Sequence, residues 1–142
     1  MIETLARLES QPLGFRTSGV SVVEVNIPRG RWTDAASRQL LYERFVEKLM
    51  ALPGVESAGI SDQGPLSSRF GQSFSIEGEP EEKDDLAPKA GKQAVTPGYF
   101  GTFGIPMVTG RVFTEHDDER SAKVVIVNQT AARRWATTFP KP

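Results

Sequence analysis

Thr96-Pro97-Gly98-Tyr99-Phe100-Gly101-Thr102-Phe103-Gly104-Ile105-Pro106-Met107-Val108-Thr109-Gly110-Arg111-Val112-Phe113 sets four aromatic and several aliphatic side chains between closely spaced glycines and prolines. Thr96 has a side-chain oxygen able to accept from a free helical N–H, and Pro97 suits the first helical position. Tyr99, Phe100 and Phe103 then share one helical face. Gly104 can adopt the left-handed conformation that closes a helix, Pro106 blocks its continuation, and Gly110 permits a tight turn before Val112 and Phe113. The stretch therefore reads as a short helix, a stop and a turn, with its aromatic face turned to a core.

Working outward, residues 92–95 read as a short strand leading into this helix. Residues 123–127, β-branched and apolar on both faces, read as an interior strand. Asn128 is placed to cap a last helix running to Trp135. On the N-terminal side, Val23, Val25 and Ile27 alternate with Val22, Glu24 and Asn26, which predicts a strand over residues 20–27 closed by Pro28 and Gly30. Thr33 is expected to cap a helix whose apolar positions Leu41, Phe45, Leu49 and Leu52 repeat every three or four residues. Pro53-Gly54 ends it, and residues 55–61 begin another strand. Strand, helix, strand predicts a right-handed crossover between parallel strands. Phe74 and Ile76 alternate with polar neighbours as a half-buried strand, whereas residues 78–91, acidic and without apolar periodicity, read as a mobile loop. The fold class is α+β: a mixed β-sheet containing a β-α-β unit, with helices packed on one face. Phe45, Leu49, Tyr99, Phe100 and Val125 are the expected core.

Bulk composition narrows the function classes. A chain of 142 residues holds one domain with a real core. Lysine and arginine number 17 against 18 aspartates and glutamates, so no basic excess marks a nucleic-acid partner. There is no cysteine, which excludes disulfides and thiolate metal sites. No apolar run approaches the roughly 20 residues needed to span a bilayer.

Candidate chemistry is sparse. His116 within Glu115-His116-Asp117-Asp118-Glu119 is the best metal or acid-base candidate. The segment lacks the oxygen-ligand spacing of a calcium loop, and no second histidine exists for a zinc site, so a turn with capping carboxylates is the stronger reading. Ser67 and Ser68 have no nucleophile-elbow context, and one histidine cannot serve a triad without partners. The glycines around Tyr99 lack phosphate-loop spacing. Tyr99, Phe100 and Phe103 could line a ligand groove, but aromatics at helical spacing more often form core. Asn128-Gln129-Thr130 matches a glycosylation sequon, against which a helix cap is favoured. Residues 79–85 read as a solvated acidic loop, with docking the less favoured use. No catalytic, cofactor-binding or metal residue is assigned, no cofactor is expected, and ligand- or partner-binding residues stay unassigned.

The blocks Thr96-Pro97-Gly98-Tyr99-Phe100, Phe103-Gly104-Ile105-Pro106, Gly110-Arg111-Val112-Phe113 and Val124-Val125-Ile126-Val127-Asn128-Gln129 resemble the extracytoplasmic, MacB-like periplasmic core domain of MacB/FtsX-type ABC transporter permeases. Leu13-Gly14-Phe15-Arg16-Thr17 resembles that family's segment just after the first transmembrane helix. Leu52-Pro53-Gly54-Val55-Glu56-Ser57-Ala58 resembles its helix-to-strand junction. Order and spacing agree from about Leu5 to Trp135. The resemblance implies a stalk or linker over residues 1–19, following a transmembrane helix outside this sequence, and a core domain over residues 20–142. It also implies that the family's domain continues beyond Trp135 into further strands. The implied function is non-catalytic: coupling ATP-driven membrane-helix motion to substrate or partner handling on the extracytoplasmic (periplasmic) face of the membrane. The implied partners are the transmembrane part of the same permease, a cytoplasmic ABC ATPase subunit or domain, and a second permease copy or an extracytoplasmic partner protein. The alternative reading is a free-standing extracytoplasmic ligand-binding or sensory domain.

Overall fold

The computed structural model describes residues 13–27, 34–64, 71–76, 80, 86–118 and 120–135. Their elements are α1 (Ala35–Met50), β1 (Gln72–Ser73), β2 (Lys89–Ala90), α2 (Tyr99–Phe103) and α3 (Gln129–Arg134). Helices with an antiparallel β-pair make the fold α+β, as the sequence pattern predicts. The described residues divide into two compact units. One draws on Met1–Ile60 and Gly98–Met107, the other on Ser61–Pro97 and Val108–Pro142.

In the first unit α1 begins at Asp34, whose side chain accepts from the Ser37 amide at 2.7 Å. A carboxylate there satisfies an otherwise open amide and faces the positive end of the helix. Asp34, and not the expected Thr33, is therefore the cap; Thr33 itself lies outside the described residues. Gln39 donates to Glu43 one turn on, and Lys48 stands in the last turn, where a cation suits the carbonyl end. The helix ends at Ala51, whose amide bonds to the Glu47 and Leu49 carbonyls.

The apolar stripe of α1 departs from expectation. Phe45 is 36% and Leu49 39% exposed, and Leu52 beyond the helix is more open still, so neither Phe45 nor Leu49 belongs to the core. Periodicity marks which side chains share a face, while the depth of their burial depends on what lies over them. Among the described residues of this unit the buried ones are instead Tyr99 and Phe103 on α2. Phe100, also expected in the core, is half-buried.

The second unit holds the β-pair: Gln72 stands opposite Ala90 and Ser73 opposite Lys89, extended by the Phe74 amide donating to the Pro88 carbonyl at 3.0 Å. β2 thus falls inside the stretch expected to be a loop. Lysine and alanine carry little strand signal of their own, and the pairing is set by the partner strand. Of residues 79–85, expected to be a solvated acidic loop, all but Pro80 lie outside the described residues. β1 is shorter than expected, and Phe74, just past it, packs edge-on against Trp135 with ring centroids 5.0 Å apart.

Among the described residues no parallel ladder forms, so the mixed sheet and its β-α-β unit are not seen. Residues 21–27 and 55–60 run without sheet pairing, and Ser61 makes a single antiparallel bridge to Val95. Residues 122–128 are likewise outside any ladder, and Val125, an expected core residue, is 74% exposed. Alternating β-branched residues supply the capacity for a strand but do not select a partner.

Residues 61–63 and 92–95 are held instead by a polar clasp. Asp62 and Ala94 exchange backbone and side-chain bonds: the Asp62 amide donates to the Ala94 carbonyl at 3.1 Å, and the Ala94 amide to Asp62 Oδ1 at 3.0 Å. Gln63 Nε2 donates to the Lys92 carbonyl, and Gln93 Nε2 to both Ser61 Oγ and the Gln63 carbonyl. Ser61 Oγ in turn donates to the Gln63 carbonyl and accepts from its amide.

Candidate functional site

α2 is the element on which the sequence blocks converge. Its first residue is Tyr99 and its N-cap position is Gly98, two residues later than the expected Thr96 cap and Pro97 start. The start is set by close packing. A Cβ on Gly98 would lie 2.2 Å from the Ala58 carbonyl oxygen, and one on Gly59 would lie 2.6 Å from the Tyr99 backbone. Only glycine lets the two backbones approach this closely. Thr102 donates from both its amide and its hydroxyl to the Gly98 carbonyl, tying off the first turn.

The helix ends as predicted. Gly104 is left-handed at φ 61°, its amide donates to the Gly101 carbonyl, and the Ile105 amide reaches back to the Phe100 carbonyl at 2.9 Å. This paired closure satisfies carbonyls that would otherwise be open.

The aromatic face is closed on itself. Tyr99 and Phe103 rings lie 5.0 Å apart, and Phe100 meets Tyr99 edge-on at 5.6 Å. Phe15 completes the cluster edge-on to Phe103 at 5.7 Å, an arrangement in which ring edges meet ring faces. Beside it the Arg16 amide donates to the Phe103 carbonyl at 2.6 Å, and the Arg16 side chain lies against Gly104 at the carbonyl end of α2. A cation is favoured there. Tyr99 is 5% and Phe103 8% exposed, so these rings act as core and not as the lining of an open groove. Three stretches far apart in sequence, around residues 15–16, 58–59 and 98–104, thus form one junction. Sequence reasoning identified each block but not their meeting, for which the glycines at 59 and 98 were the available signal.

The acidic segment is a turn. Arg111 donates through both terminal nitrogens to the two Asp117 oxygens at 2.7 Å, and Thr114 adds its amide at 2.7 Å and its hydroxyl at 3.1 Å. These bonds, the Arg111 guanidinium first and the Thr114 amide next, hold the Asp117 carboxyl well below the usual carboxylate range. Asp118 is lowered by the Arg120 and Ser121 amides that it accepts. His116 contributes its amide to the Thr114 hydroxyl. Both aspartates therefore serve the chain locally, and among the described residues no cluster of histidine and carboxylates has metal-binding geometry. Asn128 is an N-cap, as predicted, accepting from the Ala131 amide at 2.8 Å. Ser67 and Ser68 lie outside the described residues.

The described residues form an α+β fold with an aromatic junction on α2, and Asp34, Asp117, Asp118 and Asn128 are engaged in caps and turns. Residues 9–141 match the model of the MacB-like periplasmic core domain, and the chain belongs to that family. It is thus an extracytoplasmic domain of the ABC transporter permease class. No curated protein and no solved structure gives a significant match. No described helix is long and apolar enough to cross a membrane.

Proposed function

We propose that this domain does no chemistry of its own and couples ATP-driven movement of its permease's membrane helices to the handling of a substrate or partner protein outside the membrane. The observation that carries the reading is the docking of residues 15 and 16 on α2. In the proposed organisation, residues 1–19 connect to the membrane and residues 20–142 form the core. The connecting segment then ends not as a free tether but fixed to the helix that carries the buried Tyr99 and Phe103. A displacement of that segment is passed directly to α2, because a backbone hydrogen bond and an edge-on ring contact leave little slack between them. The cytoplasmic ATPase, the membrane helices and a second permease copy or an extracytoplasmic protein are the partners this reading requires.

The test uses the full permease with its ATPase in membranes. Thr17 is exposed and next to the junction, so Thr17→Cys offers a reporter to a membrane-impermeant maleimide. Modification from the extracytoplasmic side at a rate that changes when ATP binds is the expected result. Equal rates with and without nucleotide would refute coupling through this segment.

A further inference from the structure

We draw no further inference here: the strongest candidate, the exposed β-branched run of Val22, Val23 and Val25, is apolar extended chain outside any sheet ladder, and nothing in the structure shows what covers it.

Discussion

Replacing Gly98 with alanine tests the backbone contact beneath α2. The residue sits at φ −69° and ψ −12°, a conformation alanine adopts freely, so backbone strain plays no part. What changes is space. The added Cβ would stand 2.2 Å from the Ala58 oxygen, against roughly 3.4 Å for ordinary contact, so the two backbones must part by about 1 Å. Overpacking of this kind costs about 1 to 3 kcal/mol, offset by about 0.4 to 1 kcal/mol from the stiffer unfolded chain. A net loss of about 1 to 2 kcal/mol is expected, or a melting temperature lowered by roughly 3 to 8 °C in a chain of this size. Gly101 is the control. It lies within the same helix with nothing within 4 Å of its Cβ position, so Gly101→Ala should stabilise by about 0.5 to 1 kcal/mol. Thermal melts followed by circular dichroism compare the two variants. Opposite signs are the expected outcome; a Gly98→Ala variant as stable as Gly101→Ala would refute the close approach of residues 58–59 and 98–99.

Phe103→Ala should cost about 3 to 5 kcal/mol, because its ring is buried between Phe15 and Tyr99, and the half-buried Phe100→Ala clearly less; urea denaturation of both variants ranks them. Asn128→Ala removes the cap of α3 and should cost about 0.5 to 2 kcal/mol, with faster amide exchange at Ala131 as the local sign. Asp117 has a depressed pKa when folded, so its contribution to stability is present above the ordinary carboxylate pKa of about 4 and declines as pH falls toward the folded value. Asp117→Asn should therefore be less stable than the parent at pH 7, with the gap narrowing steadily from about pH 5 downward; a gap independent of pH would contradict the Arg111 pairing.

What the sequence made legible was local. Gly104, Gly110 and Asn128 occupy the conformations and caps expected of them, because a left-handed glycine or an asparagine N-cap is decided within four or five residues. The shared face of Tyr99, Phe100 and Phe103 was likewise readable from spacing. What depends on distant partners was not. Phe45, Leu49 and Val125 carry the right pattern for a core but are exposed, while β2 arises at Lys89 and Ala90, where the pattern is weakest. The Ser61, Gln63 and Gln93 clasp joins segments about 30 residues apart through side-chain bonds that leave no periodic trace. At the junction, Phe15 and Phe103 were each visible as aromatic residues in separate motifs, yet their contact is a tertiary event. The single histidine and its acidic neighbours show the converse: rich local chemistry resolved by Arg111 and Thr114 into a turn.

The most direct test of the account is hydrogen exchange at the Arg16 amide in the full permease, measured in membranes with and without ATP. The bond to the Phe103 carbonyl predicts slow exchange at Arg16 in both states, matching that of the α2 amides, because the segment and helix move together. Exchange at Arg16 as fast as in a free chain, in either state, would show that residues 13–17 are not anchored on α2 and would contradict coupling through this junction.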